Sequence, residues 1–473
     1  MAEPLGGHAV VVGASISGLL TAQVLTRHYE RVTLVERDAL PDGPQFRKGV
    51  PQARHPHALL AKGRQILAEM FFGIHQQFLD AGAIEVEWPT DLLQHGEAGW
   101  EYRGPRGAGL TTISATRSLI DWVVRRNVLA AAGVSVLTRH EAVGLVSDDG
   151  ARSVSGLRVR QRGSATAGVR ELAADLVVDA SGRDSKAVRW LEQLGTEPPA
   201  ETRINPRQGY ATAVFRRERG SLDDWRTLVC LPYPGRPRGC VMVPVEGDRW
   251  IATVTGCGGD YPPTELDGYL DFARSLEGGV LHEAVAGAEL LEPIRGYRDM
   301  ANILWHYERL PRQPERFLVI GDAACAFNPV YAQGMTVAAL AADTLRDCLQ
   351  RYARRGTTAG LSRHFQRRLA ATVKAPWQMA TGQDLAFPGT AGRPGLTDRM
   401  MQPYLSRVMR ASAAGPPAAY QVNRVMHMID SASALFRPAM VRAALTPGQS
   451  GSAAPVPAAG PNPVSPPHAR PES

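Results

Sequence analysis

The segment Gly13-Ala-Ser15-Ile-Ser17-Gly18 lies between an apolar run at residues 8–12 and a stretch of helical composition at 19–28. Strand, small-residue turn, helix: few folds use that order so tightly. Gly13 permits the sharp turn, Ser15 is small enough to let backbone approach a pyrophosphate, and Gly18 lets helix and strand pack closely. The helix N-terminus then offers free N–H groups and a positive dipole end to phosphate charge. Residues 31–36 alternate as a strand and end at Glu36, 23 residues beyond Gly13. A carboxylate at that distance can accept both hydroxyls of a ribose. Ser17 inside the turn and Arg37 beside Glu36 join Gly13, Ser15, Gly18 and Glu36 as candidate dinucleotide ligands. The bland alternative is a small-residue turn that only packs.

A second segment, some 300 residues later, bears on which dinucleotide is bound. Residues 317–320 form an apolar run that ends in Gly321-Asp322, followed by Phe327-Asn-Pro329 and by Gly334-Met335 opening a helix at 334–349. A nicotinamide cofactor needs one such fold and no distant return. FAD is longer, and its ribityl chain needs a further acceptor that Asp322 can supply. The Gly334-Met335 helix start would bring N–H donors to the flavin pyrimidine, where negative charge gathers on reduction. Gly321-Asp322 taken alone reads equally as a strand-end turn.

The chain has 473 residues, enough for two or three domains of about 100–200 residues each. A hydrophobic share of 44%, a charged share of 21% and a mean hydropathy of −0.19 describe a globular protein, not a collagen or a coiled coil. No apolar run is long enough to span a membrane, and the start lacks a signal-peptide pattern, so a cytoplasmic location is expected. A surplus of 53 basic over 46 acidic residues is spread along the chain. It suits anionic small molecules at least as well as nucleic acid, and no nucleic-acid partner is expected. Five cysteines without a CxxC pair argue against a disulfide framework and for a reducing compartment.

Short strands are expected at 134–137, 143–146, 154–159 and 176–179, with helices at 57–70 and 118–132. Between 200 and 300 the pattern changes to strands at 210–215, 228–233, 240–245 and 250–255, separated by Gly- and Pro-rich turns. The expected architecture is therefore α/β, a Rossmann-like cofactor domain carrying an inserted antiparallel-sheet substrate domain and a helical C-terminal part. Its boundaries are 1–199 and 301–390 for the two parts of the cofactor domain, 200–300 for the insertion and 391–446 for the terminal helices. Residues 447–473 are Pro-, Ala- and Gly-rich and read as a disordered tail.

A third segment, Asp179-Ala-Ser181-Gly182-Arg183-Asp-Ser185, stands at another strand end. With the other two in this order, it resembles the FAD-dependent aromatic hydroxylase superfamily, the para-hydroxybenzoate hydroxylase fold, over roughly 8–390. The family usually has Asp-Gly where this chain has Ser181-Gly182, as related halogenases and epoxidases often do. Arg47-Lys-Gly-Val-Pro-Gln52-Ala-Arg-His55-Pro-His57 is similar to a segment of the polyene epoxidases of polyether antibiotic biosynthesis, the lasalocid and monensin type. Trp100, Arg117 in Ser114-Ala-Thr-Arg117-Ser-Leu-Ile-Asp121, and Phe327-Asn-Pro329-Val-Tyr331 extend that likeness. The resemblance implies Arg117 beside the FAD pyrophosphate and Arg47 near the flavin, where it would act in catalysis. His55 and His57 lack a third ligand at suitable spacing, so no metal is expected.

The resemblance also implies the chemistry. FAD would be reduced by NADPH or NADH binding transiently, or by a separate flavin reductase. One atom of O2 would then pass, through a flavin C4a-hydroperoxide, to an apolar small molecule such as a polyene. Aromatic hydroxylation uses the same machinery and stands as the nearest alternative. An FAD-linked reductase of the geranylgeranyl reductase type shares the Asp-Ala-Ser-Gly-Arg segment and belongs to another reaction class. A halogenase would carry Trp-x-Trp-x-Ile-Pro, which this chain lacks. A flavin-binding sensor would need an output domain.

Overall fold

The strand Gly6–Val12 shows why residues 8–12 are apolar without alternation. It lies at the centre of a five-stranded sheet, flanked on both edges and covered on both faces. In the computed structural model, which describes residues 4–163, 168–218, 224–392 and 396–446, the strand order is Phe317–Val319, Leu176–Asp179, Gly6–Val12, Tyr29–Val35, Val134–Leu137. Every pairing in it is parallel. The first, third and second cofactor motifs thus end on neighbouring strands of one sheet edge.

The helix Ile16–Leu25 begins three residues earlier than composition suggested, because the small residues of the turn already belong to its first turn. It is apolar all round and buried accordingly, packing on the helices Arg117–Leu129 and Gly334–Ala353. The helix Arg117–Leu129 is capped by Thr116, whose side chain accepts from the Leu119 N–H at 3.1 Å. That cap fixes where Arg117 enters the interior.

The antiparallel region forms a seven-stranded sheet in the order Leu290–Tyr297, Gly209–Arg216, Arg249–Gly256, Arg238–Val245, Thr227–Cys230, Leu92–Gly96, Gly99–Trp100. Its last two strands come from chain that the sequence places in the first cofactor part. Leu92–Gly96 pairs in parallel with Thr227–Cys230, a contact over more than 130 residues that no local pattern announces. A separate core under this sheet packs Phe215, Trp250, Tyr269 and Phe272. Among the described residues there are also three smaller three-stranded sheets. C-terminal helices Leu396–Ala414, Ala418–Met426 and Pro438–Leu445 share a small core of Val408, Val422 and Met440. The mixed α/β class and the helical C-terminal part follow the expectation. The expected tail, 447–473, lies outside the described residues. Among the described residues, no helix is long and apolar enough to cross a membrane.

Candidate cofactor and substrate cleft

A cleft of about 410 Å³ opens along the carboxyl ends of the parallel strands and continues to the seven-stranded sheet. Its floor explains the glycines. Gly13 has φ +97°, and a Cβ there would stand 2.7 Å from the Ala180 carbonyl oxygen. A Cβ at Gly18 would meet the Gly13 carbonyl oxygen at 1.9 Å. Gly321 has φ +65°, and a Cβ there would lie 2.4 Å from Ser17 Oγ. The two motifs separated by 300 residues therefore touch at Ser17 and Gly321, and only glycine fits the second.

Gly13, Ser15, Ser17, Glu36, Arg37 and Arg117 line one part of the cleft. Asp322, Pro329, Gly334 and Met335 line another. Gly18 and Gly321 lie behind the wall as close-packing positions. Helices Ile16–Leu25 and Gly334–Ala353 both point their N-termini at the cleft and carry no acid in the first turn. Both positive dipole ends therefore remain available to an anionic ligand.

Glu36 is buried, with Oε2 accepting from the Ala14 N–H at 2.8 Å and Oε1 from the Asp38 N–H at 2.9 Å. Arg117 donates from Nη2 to Ser15 Oγ at 2.7 Å, while its buried Nε has no partner among the described residues. Burial pushes the Arg117 guanidinium down, and Asp121 and Asp322 pull it back up. Burial likewise pushes the Asp322 carboxyl up, against the pull of Arg183 and Arg117. Arg183 is fastened by the Ala301 carbonyl at 2.9 Å and by the Phe327 carbonyl. Ser17 Oγ is also buried without a partner among the described residues. Orphan donors and two helix N-termini in one elongated cleft fit a flavin dinucleotide.

Arg47 is placed differently from the expectation. It is not on the cleft wall. Its guanidinium is buried behind the dinucleotide turn, 2.8 Å from Asp121 and 3.3 Å from Glu36, and donates to the Ala14 carbonyl at 3.1 Å. Arg125 reaches the same Asp121 oxygen at 3.2 Å. Two buried carboxylates draw the cation inward. Its own loop nevertheless lines the cleft, through Gly49–Ala58 residues such as Pro51, Gln52, His55 and His57.

The far end of the cleft is aromatic. Tyr210 and Tyr297 stand opposite each other on neighbouring strands and stack with centroids 5.7 Å apart. The His55 ring meets both edge-on, at 4.5 and 4.4 Å. His55 Nδ1 shares a 2.5 Å hydrogen bond with Thr212 Oγ1, and burial pushes its pKa down to about 3. His57 turns elsewhere, to the His55 carbonyl at 2.9 Å; burial and then the Arg117 charge bring it to about 3. Met300 and Phe327 add apolar surface beside them. No local sequence pattern links Tyr210 to Tyr297. Their cross-strand register, which needs the tertiary pairing, is the signal that joins them.

A family model described as an FAD binding domain matches residues 8–375. Protein Rv3254 of Mycobacterium tuberculosis (strain ATCC 25618 / H37Rv) is 32% identical over 400 residues, covering 82% of each chain. The structure is similar to p-nitrophenol 4-monooxygenase PnpA from Pseudomonas putida DLL-E4, with TM-score 0.60 and 16% identity over 93% of this chain and 96% of that one. It is also similar to the myxobacterial chondrochloren halogenase CndH, with TM-score 0.61 and 16% identity over 95% and 99%. Flavin-dependent brominase Bmp2 gives TM-score 0.62 at 14% identity over 90% and 98%. At these identities the structural likeness concerns the fold.

Proposed function

Since this chain belongs to the FAD binding domain family, we propose that it is an FAD-dependent monooxygenase acting on an apolar small molecule. The carrying observation is a single cleft that joins the Gly13–Gly18 turn and Asp322 to the Tyr210–Tyr297 wall. The Gly13–Gly18 turn, Glu36 and Arg117 would hold the adenosine and pyrophosphate, Asp322 would accept from the ribityl chain, and the Gly334 helix start would face the flavin pyrimidine. Bound there, FAD would store two electrons and deliver them to O2, supplying an electrophilic oxygen atom. The chain's own work is positioning. Arg183 and Arg117 keep the Asp322 carboxylate available as an acceptor. Tyr210, Tyr297, Met300 and Phe327 exclude water from the reacting end.

Epoxidation of an alkene, as in a polyene of antibiotic biosynthesis, is the first reading. It needs no strong acid or base, and the histidine at this end is held neutral. Hydroxylation of a phenol is the second reading, favoured by two groups that an alkene would leave unused. The Tyr210 hydroxyl and His55 Nε2 are both buried without a partner among the described residues. A phenolic oxygen would satisfy such groups. NADPH, NADH or a separate flavin reductase would supply the electrons.

The test uses holoenzyme under 18O2 with NADPH, NADH or a flavin reductase, and with polyenes and phenols as substrates. Label in an epoxide supports the first reading, and label in a ring hydroxyl the second. A reduced, unlabelled product would overturn both in favour of a reductase.

A further inference from the structure

A chain of buried hydrogen bonds runs from the seven-stranded sheet to the last residue of the helix Leu361–Asp384. Gln208 Nε2 donates to Thr255 Oγ1 at 2.8 Å, and Gln208 Oε1 accepts from Asn328 Nδ2. The Asn328 backbone N–H donates to Asn302 Oδ1 at 2.7 Å, and Asn328 Oδ1 accepts from the Val330 N–H at 3.3 Å. Asn302 Nδ2 then donates to Asp384 Oδ2 at 2.5 Å, and the Tyr331 hydroxyl donates to the other carboxylate oxygen. Gln208, Asn302, Asn328 and Asp384 are all buried, so water cannot substitute for a lost partner.

Such a chain has a direction, and one end sets it. An ionised carboxylate only accepts, so both its neighbours present donors. Asn302 therefore turns its amide nitrogen to Asp384 and its carbonyl to the Asn328 N–H. That bond holds the backbone of the segment from which Phe327, Asn328, Pro329 and Ala332 line the cleft. Ala332 takes φ +53°, a left-handed conformation uncommon for a non-glycine residue. Asp384 itself does not line the cleft, and it falls outside the residues 8–375 matched by the family model.

We infer that Asp384 is a positioning residue for FAD, setting the polarity of the buried chain and so the backbone of residues 327–332 on the cofactor wall. The inference rests on the reading of the cleft as an FAD site. Burial pushes the Asp384 carboxyl up to about 6, with the Tyr331, Asn302 and Asn328 side chains pulling the other way. Tyr331 and Cys257 are the titratable groups coupled to it, and both are held neutral at ordinary pH. At pH 8 Asp384 is ionised.

FAD is titrated into apoprotein at pH 8, with circular dichroism as the check on folding. Asp384→Asn offers one acceptor to two donors and should weaken FAD binding by about tenfold or more. The double variant Asn302→Asp/Asp384→Asn moves the carboxylate one place along the chain. Position 302 then accepts from the Asn328 N–H and from the new amide, whose oxygen accepts from Tyr331. Every bond is restored, and affinity should return to within about threefold of the wild type. A folded Asp384→Asn protein with wild-type affinity overturns the inference, as does a double variant no better than the single one. If Asp384→Asn does not fold, Tyr331→Phe decides: a severalfold loss supports the inference, and unchanged affinity overturns it. Wild-type apoprotein that binds no FAD overturns the cofactor reading itself, whatever the variants do.

Discussion

Arg47 is worth more to the structure than a loop arginine usually is. It neutralises Glu36 and Asp121, each about as buried as itself. Removing one member of a buried ion cluster leaves the others unpaired, which costs roughly 3–5 kcal/mol. Arg47→Ala should therefore lower the stability of the apoprotein by about that much and release FAD. Urea unfolding and flavin titration check both effects. Intact stability and flavin content with oxygen transfer alone lost would return Arg47 to the chemistry. Asp322 gives the contrasting case, since it faces the cleft. Asp322→Ala should leave the apoprotein folded and weaken FAD binding by about 1.5–3 kcal/mol, the usual worth of a charged acceptor. Equal FAD affinity in the folded variant would reduce Gly321-Asp322 to a turn.

At the scale of the element, the helix Ala61–Met70 begins without a side-chain cap at Leu60. The missing acceptors come from 366 residues away. His427 Nδ1 accepts from the Ala61 N–H at 3.3 Å, and its carbonyl accepts from the Lys62 N–H at 3.2 Å. Accepting at Nδ1 requires a neutral ring, and burial duly pushes His427 down to about 3. The folded value lies below the ordinary 6.5, so the unfolded chain takes up the proton first as pH falls. The histidine's contribution is therefore complete above about 6.5 and is lost progressively toward 3. His427→Gln should lower stability by about 1–2 kcal/mol at pH 7.5, the scale of a lost cap. Melting curves across pH should show the gap to wild type narrowing by pH 5. A gap that is constant with pH would mean that the ring's ionisation is not linked to folding.

For the molecule as a whole, the cleft joins two sheets, each with its own core: the parallel sheet, whose core contains Trp190, and the seven-stranded sheet, whose core contains Trp250. A ligand held by both should stabilise both. FAD at a hundredfold over its Kd adds about 2.7 kcal/mol if it binds only the folded state. Apoprotein and holoenzyme should each melt in one transition, the second at higher temperature, by calorimetry and by tryptophan fluorescence alike. A seven-stranded sheet that melts separately at an unchanged temperature would show that the cofactor contacts only the parallel-sheet part.

What the amino-acid sequence determined by itself was whatever depends on near neighbours. The turn at Gly13–Gly18 is one case, because glycine and small side chains decide backbone conformation within a few residues. The strand ends at Glu36, Asp179 and Asp322 are others, since an apolar run followed by a polar residue announces its own termination. Only the tertiary structure decided the rest. Arg47 finds Asp121 across 74 residues, and Asn302 finds Asp384 across 82. The strands Leu92–Gly96 and Gly99–Trp100 join a sheet otherwise built from residues 209–297. Tyr210 and Tyr297 become one wall only through register. In each case the partner is chosen by burial, where an unpaired charge, an unpaired N–H or an open sheet edge is too costly to leave, and burial is a property of the whole chain rather than of any stretch of it.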